Sequence, residues 1–359
     1  MKRSPPTKRA QPQTPPRIGA RLLRWYDRHG RKDLPWKRHR NPYHVWLSEI
    51  MLQQTQVATV IPYFARFIAR FPSIASLARA DVNAVLHQWS GLGYYARARN
   101  LHRAARILVR EHAGRVPRDV EAVANLPGVG RSTAAAILAL AYDQRHAILD
   151  GNVKRVLARY HAIAEPLPGR HVEQQLWELA DYHTPRGRAA DYTQAIMDLG
   201  ATVCRRTQPL CAQCPARKNC AAFAEGNPEH YPQRRDRKTV PTRTVKMLLI
   251  RDARGHVLLQ RRPPIGVWGG LWGLPECHAR DVRDWSQVTL GLDIVPEPCW
   301  PRLRHSFSHF HLDIHPIPAR LVGDGLRIME SGDSVWYNCR RPDERGLAAP
   351  VRRLLDQLR

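Results

Sequence analysis

The 359-residue chain has no unbroken run of the roughly eighteen apolar residues that a membrane-spanning helix needs, which argues against a span. Its start, Met1 to Pro16, lacks the apolar core of a secretory signal. That segment is polar, basic and proline-rich, and it reads as a flexible tail, with an organelle address left open. Acidic residues are few: 31 Asp and Glu stand against 57 Lys and Arg, a net charge of +26. A GC-rich genome would explain abundant arginine but not this surplus of base over acid, so a polyanionic partner is expected, nucleic acid above all. Cysteine is scarce too. Seven are too few for a disulfide scaffold. Four of them cluster as Cys204, Cys211, Cys214 and Cys220, while Cys277, Cys299 and Cys339 are scattered. A tight cluster without a secretion signal points to a metal site in a reducing compartment.

From about Arg17 to Ala224 the β-branched alternation of strands is missing, and helical spacing takes its place. Apolar residues from Val45 to Phe71 recur at helical intervals, with Pro62 expected to end or kink a helix. Further helices are predicted over Asp81–Trp89, Ala96–His112, Ser132–Tyr142, Val153–His161, Val172–His183 and Tyr192–Val203. After Ala224 comes a stretch rich in Pro, Lys, Arg and Asn with no apolar period, which reads as a linker. Beyond it Val245–Ile250, His256–Arg261 and Phe310–Ile317 look like strands, with a hairpin turn over Asp252–Gly255. Val282–Thr289 and Val351–Leu358 look helical. The expected organisation is a basic tail (1–16), a mainly α N-terminal half (17–225), a linker (226–241) and a C-terminal α/β domain (242–359).

Three local patterns carry chemistry. In Asn125-Leu126-Pro127-Gly128-Val129-Gly130-Arg131-Ser132-Thr133, Pro127 stops one helix, and Gly128 and Gly130 allow backbone angles that other residues resist. Bare N–H groups there, with the following helix N-terminus, suit a DNA phosphate, although an ordinary tight helix connection has the same look. Asp150, in Ile148-Leu149-Asp150-Gly151-Asn152-Val153, follows an apolar stretch and precedes a helix. Helix capping explains such a residue, and Asn152 is also well placed for it. A carboxylate there also suits stabilisation of an oxocarbenium-like sugar cation. The cysteines are spaced Cys204-x6-Cys211-x2-Cys214-x5-Cys220. Four thiolates suit zinc, but only one pair is close, and the long spacers with Arg205, Arg206, Arg217 and Lys218 favour one [4Fe-4S] cluster.

Together with the segments Trp46 to Val57 and Gly91 to Asn100, these patterns resemble the endonuclease III superfamily of DNA glycosylases, and within it the adenine-specific MutY family. The resemblance runs from about Arg17 to the C-terminus. It implies a six-helix barrel with a helix-hairpin-helix, an iron–sulfur module and a Nudix-like C-terminal domain. It implies base excision repair in the bacterial cytoplasm by a monomer, with no membrane partner. The substrate would be double-stranded DNA carrying adenine opposite 8-oxoguanine or guanine. It casts Glu49 as general acid, a carboxyl among Trp46, Leu47 and Ile50 whose pKa burial would raise; an exposed helical Glu is the plainer reading. Asp150 would stabilise the sugar cation or its covalent adduct, with Asn152 hydrogen-bonding in the site. Gln54 and Tyr94 would fill the gap left by the flipped base, although Tyr94 also suits core packing. Leu126, Gly128, Gly130, Ser132 and Lys154 are assigned to DNA binding. Bifunctional relatives carry Lys at the position of Ser132, so the implied enzyme is monofunctional. Lys154 otherwise reads as a solvated lysine near phosphate.

In the C-terminal half, Gln260 to Pro263 and Gly269 to Pro275 resemble the opening of a Nudix fold. The magnesium-binding R-E-x-x-E-E helix is missing after Glu276, so no pyrophosphatase activity is expected. Phe307, Ser308 and His309, within Arg304 to Phe310, resemble the loop that reads 8-oxoguanine; residues of a strand on a wet face would look similar. Other classes weigh against this whole: a DNA-binding module with a structural metal, a glycosylase for oxidised pyrimidines, and a Nudix hydrolase. The second and third lack, respectively, a Lys at Ser132 and the magnesium helix.

Overall fold

The computed structural model describes residues 16–167, 169–233, 239–307, 309–323 and 332–358, so most of the basic tail and the middle of the predicted linker lie outside it. The chain divides into two compact units that interleave along the sequence: 1–50 with 116–236, and 51–115 with 237–359. Helices α1 (Gly19–His29) and α2 (Pro42–Leu52) open the first. Helices α3 (Val57–Arg70), α4 (Ile74–Arg79), α5 (Val82–Gln88) and α6 (Ala96–Glu111) belong to the second. The chain then returns to the first unit with α7 (Val120–Ala124), α8 (Arg131–Tyr142), α9 (Gly151–Tyr160), α10 (Arg170–His183), α11 (Ala189–Asp198) and the short α12 (Ala221–Ala224).

In the first unit α8 is the hub. Every residue from Ala134 to Leu140 is buried, as its run of small alanines allows for a helix enclosed on all sides. Leu22 and Tyr26 of α1, Val153, Val156 and Leu157 of α9, Leu176 of α10 and Ala195 and Ile196 of α11 join Ala135 and Ala136 in one core. Asp143, left-handed at the end of α8 with φ 57°, accepts a 2.7 Å hydrogen bond from the Ala190 N–H and so fixes the start of α11. Helix α2 is also sealed: Val45, Trp46, Leu47, Ser48 and Ile50 are all buried, and Glu49 is its single acid.

Pro62 does not end a helix. It lies inside α3, and the break falls earlier, at Gln53–Gln56. A proline there leaves the Ala58 carbonyl without its donor, but Ala58 and Pro62 are both exposed, so water takes the place of the missing N–H.

In the second unit a mixed sheet of eight strands forms among the described residues. Its spine is β1 (Thr242–Arg251), with β2 (Val257–Arg261) antiparallel after the Asp252–Gly255 turn. Short strands β3 (Trp272–Gly273) and β4 (Glu276–Cys277) follow, then helix α13 (Val282–Leu290), β5 (Ile294–Pro296), β6 (Leu303–Ser306), β7 (His311–Leu321), β8 (Ser334–Tyr337) and helix α14 (Ala349–Asp356). Strands β1 and β7 run parallel from Thr242↔His311 to Arg251↔Arg320. Met247 to Ile250 are buried on both faces, as a central strand requires.

Helices α5 and α6 share this unit because they are bonded to the C-terminal segment. The Trp272 indole donates to the Asn83 side chain at 3.1 Å, and the Ser90 hydroxyl donates to the Leu347 carbonyl at 2.9 Å. The fit is tight at Gly346, where a Cβ would stand 2.7 Å from Leu86 Cβ and 3.0 Å from Leu271.

Candidate active site

Two carboxyls meet in the first unit. Glu49 projects from the sealed helix α2, and burial pushes its pKa up to about 8, with the charge of Asp150 pushing the same way. Asp150 is the N-cap of α9, and its Oδ1 accepts the Val153 N–H at 2.7 Å. Burial raises its pKa as well, but the Val153 and Asn152 N–H groups, Arg155 and Lys154 all pull it down. The environments therefore sort the pair. Asp150 has donors and cations to hold a negative charge, while both influences on Glu49 favour its neutral form. The Asp150 pKa is raised on balance, burial outweighing those groups, while Glu49, pushed up to about 8, has nothing to offset its burial.

Capping and proximity to Glu49 are thus properties of the same residue, and the cap is Asp150 rather than Asn152. Asn152 sits one turn position later, and its Oδ1 accepts from Arg155 at 2.8 Å. It is wedged against Gly200, where a Cβ would lie 2.6 Å from Asn152 Cβ. Gly200 belongs to a π-turn, Leu199–Val203, that extends α11. Arg155 binds this turn through the Gly200 carbonyl (2.7 Å) and the Cys204 carbonyl (2.9 Å). Arg159, one helical turn on and 2% exposed, donates to the Arg205 and Arg206 carbonyls at 2.6 and 3.0 Å. Sequence reading missed both arginines as holders of the cysteine loop; their spacing of four on the helix that Asp150 caps was the available signal.

The remaining predicted residues of this unit fall into place unequally. Ser132, on α8, accepts the Leu149 N–H at 2.9 Å and so steadies the residue before Asp150. Gly128 has φ +79°, as expected for the hairpin. Gly130 does not need glycine for its backbone, which is ordinary and extended at φ −101°, and no atom lies within 4 Å of a Cβ built there. What glycine provides at 130 is open space above the N-terminus of α8. Leu126 is 3% exposed and belongs to the core. Lys154 is ion-paired to Glu173 of α10 at 2.6 Å rather than solvated.

Cys204, Cys211, Cys214 and Cys220 line one pocket with Val156, Arg159, Tyr160 and Leu199, and none of the four is in a disulfide. Among the described residues no group of three or more His, Cys, Asp and Glu is gathered as a single metal ion requires.

The second unit holds the other predicted residues. Gln54 (φ 59°) and Tyr94 (φ 50°) are both left-handed and exposed, Tyr94 to 49%. Such angles are costly for these residues and persist where neighbours enforce them. The enforcer is Arg97, 8% exposed, whose guanidinium donates to the Met51 and Gln53 carbonyls at 2.6 Å and to the Gly93 carbonyl and Thr55 hydroxyl at 3.1 Å. It also lies 5.5 Å from the centre of the Tyr94 ring. Sequence reading gave Arg97 no role; a lone arginine among the buried residues of an apolar helix face was the clue.

In the C-terminal part Phe307 is half-buried within an aromatic group. Phe310 stacks on it at 4.5 Å, His305 meets it edge-on at 4.6 Å and Trp268 packs at 5.4 Å. His309 is exposed, and Ser308 lies outside the described residues.

Residues 47–181 match the HhH-GPD superfamily of base excision DNA repair proteins, and residues 246–357 match the NUDIX domain. A thermostable thymine-DNA glycosylase of known structure superposes with a TM-score of 0.53 at 28% identity, covering 58% of this chain and 95% of its own. A helical hairpin module with a pair of sorted carboxyls, followed by a Nudix-type sheet, defines a DNA glycosylase of base excision repair. The relatives narrow this further. The adenine DNA glycosylase of Buchnera aphidicola subsp. Acyrthosiphon pisum is 37% identical over 338 residues, spanning 94% of this chain and 96% of that protein. That of Rattus norvegicus is 47% identical over 84% of this chain and 70% of its own length. The chain belongs to the adenine DNA glycosylase family.

Proposed function

We propose that the chain removes adenine from duplex DNA in which adenine stands opposite 8-oxoguanine or guanine, and that it does so without cutting the strand. The observation that carries the chemistry is the pair itself: Glu49, its pKa pushed up to about 8 by burial and by Asp150, beside an Asp150 that caps its own helix. Adenine is a poor leaving group until a nitrogen of its imidazole ring is protonated. Glu49 delivers that proton, and the pair of electrons of the N-glycosidic bond leaves with the base. Positive charge then develops on the sugar, and the Asp150 carboxylate stabilises it. Water adds to the sugar carbon and gives its proton to the Glu49 carboxylate, which restores the acid. Asn152, held by Arg155, orients groups in the site. No amine stands at Ser132 to form a Schiff base, which supports hydrolysis alone.

Duplex DNA is the partner, and the chain acts as a monomer. The net charge of +26 and the open hairpin at Gly130 support backbone binding. Gln54 and Tyr94 fill the stack that the flipped adenine vacates, and Phe307, Ser308 and His309 read the opposite base. The four cysteine thiols fit one [4Fe-4S] cluster. They share a pocket, and a spacing with only one close pair favours a cluster over a single zinc ion. A cluster held by these four residues would cross-link the loop from Cys204 to Cys220. Among the described residues no helix is long and apolar enough to cross a membrane; action on cytoplasmic, nucleoid-borne DNA accords with the charge.

One assay tests the reading: duplexes with adenine opposite 8-oxoguanine, guanine, cytosine and thymine, each with and without alkali after reaction. Adenine release from the first two, with breaks only after alkali, is expected. Breaks without alkali, or equal release from all four, would overturn it.

A further inference from the structure

The loop that supports Phe307 is held from a distance in sequence. Between β2 and β3 the chain runs Arg262-Pro263-Pro264-Ile265-Gly266-Val267-Trp268-Gly269-Gly270. Trp268 sits there at φ +54°, left-handed, which is a genuine strain for a bulky side chain. In that conformation its ring is 8% exposed and lies against both Phe307 and His305, with centroid separations of 5.4 Å. Something must hold the backbone on either side of it. Arg262 takes the Val267 carbonyl at 2.9 Å. The other clasp is Arg99 of α6, whose Nη2 donates to the Pro264 carbonyl at 3.0 Å and whose Nη1 donates to the Gly269 carbonyl. The loop has closed around itself at that point: a Cβ on Gly269 would stand 2.5 Å from the Pro264 oxygen, and one on Gly270 would stand 3.4 Å from Arg99 Cδ.

Arg99 is therefore not presented to a phosphate. Both terminal nitrogens are engaged with loop carbonyls, and the side chain is half-buried. It stands two residues beyond Arg97, which fixes the backbone around Gln54 and Tyr94. Two arginines near the start of one helix thus hold two recognition elements, the residues that enter the stack and the platform beneath the loop that reads the opposite base.

We propose that Arg99 is a positioning residue for discrimination of the base opposite adenine: by clasping the Pro264 and Gly269 carbonyls it keeps Trp268 under Phe307 and sets the lesion-reading loop in register with α6. This rests on the assignment of Phe307 and His309 to that reading. Loss of the clasp leaves chemistry at Glu49 and Asp150 untouched and frees Trp268 to leave its left-handed conformation. Phe307 then loses its support, and contacts unique to 8-oxoguanine are lost, while contacts common to guanine survive.

The test compares full-length wild type, Arg99→Met, Arg99→Lys, Trp268→Leu and Phe307→Ala by single-turnover adenine release from duplexes with 8-oxoguanine or guanine opposite adenine. Affinity for undamaged duplex is measured alongside. Arg99→Met is expected to reduce the preference for the 8-oxoguanine duplex about tenfold, with the guanine-duplex rate and undamaged-duplex affinity within about twofold of wild type. Arg99→Lys, keeping one bond, should fall between. Trp268→Leu should reproduce the loss with Arg99 intact, and adding Arg99→Met to it should cost little more; it carries the test alone if Arg99→Met does not fold. If Phe307→Ala abolishes the preference while Arg99→Met and Trp268→Leu leave it unchanged, the inference is wrong and the lesion-reading assignment stands. If Phe307→Ala changes nothing either, the assignment itself fails and takes the inference with it. Equal losses on both duplexes, or a matching loss of undamaged-duplex affinity, would make Arg99 a general structural or DNA-contact residue and overturn the proposal.

Discussion

The carboxyl pair of the first unit and the aromatic loop of the second are built on opposite plans. Asp150 is held by the start of its own helix, and Glu49 by a helix on which Trp46, Leu47, Ser48 and Ile50 are buried. Nothing about either demands an unusual backbone. Gln54, Tyr94 and Trp268, in contrast, all occupy left-handed conformations, and arginines bonded to the surrounding carbonyls hold them there. Charge management uses the regular parts of the fold, where donors are fixed and water is excluded. The residues proposed for recognition lie on or against strained turns, whose shape depends on arginine clasps. Damage to the first should abolish the reaction; damage to the second should alter which duplexes react.

The sharpest test of that division is Asp150→Asn. It keeps a capping oxygen for the Val153 N–H but removes the charge, and a loss of about a thousandfold or more in single-turnover adenine release is expected with duplex affinity retained. Retention of more than a tenth of the wild-type rate would remove Asp150 from the chemistry.

Glu49→Gln comes next, with a loss of about a hundredfold to ten-thousandfold. In wild type the rate should fall as pH rises past about 8, where Glu49 gives up its proton, and this alkaline limb should vanish in the variant. Stability follows the same group with a definite sign. A raised folded-state pKa means that wild type loses stability as pH climbs from the ordinary carboxylate range to about 8, beyond which the loss is complete. Melting temperatures of Glu49→Gln relative to wild type should therefore rise across that window and level off above it. A constant difference from pH 5 to 9 would show that Glu49 is not buried in its neutral form.

Gly200→Ala probes the site without touching a carboxyl. The added methyl would collide with the Cβ and backbone of Asn152, so α9 and its cap must shift. A displacement of this kind costs about a hundredfold in rate, with the opposite-base preference unchanged. Activity near that of wild type would mean that Asn152 has freedom the packing denies it. The smallest effect belongs to Ser132→Ala, which strips the Leu149 N–H of its acceptor at a cost of about 1 kcal/mol in unfolding free energy, read by denaturant titration. Adenine release should slow by less than about tenfold, because Leu149 stays buried.

Much of this was legible before any coordinates. Helical spacing located α5, α6 and α8 to α10 closely, because each presents a regular apolar face. The short strands β3 to β6 and β8 left no such trace. Two to four residues are too few to show alternation, and their positions follow from pairing with β1, β2 and β7. Asp150 and the four cysteines stood out by type and spacing, whereas Glu49 was singled out only by the family resemblance. Arg97, Arg99, Arg155 and Arg159 did not stand out, because in a chain with this much arginine the composition hides the few that turn inward to carbonyls. Gly130 was read for backbone freedom it does not use, since a glycine kept for open space and one kept for a positive φ look alike in sequence.

The parallel pairing of β1 with β7 has a consequence for biogenesis. A nascent chain that has emerged as far as β2 holds its central strand without its long neighbour, which begins only at His311. Helices α5 and α6 wait longer still, for Arg345 and Leu347, to which their ends are bonded, follow β7 in the chain. A chain that stops before His311 strands an apolar strand edge and an uncovered helical face together, and such fragments are prone to proteolysis or aggregation.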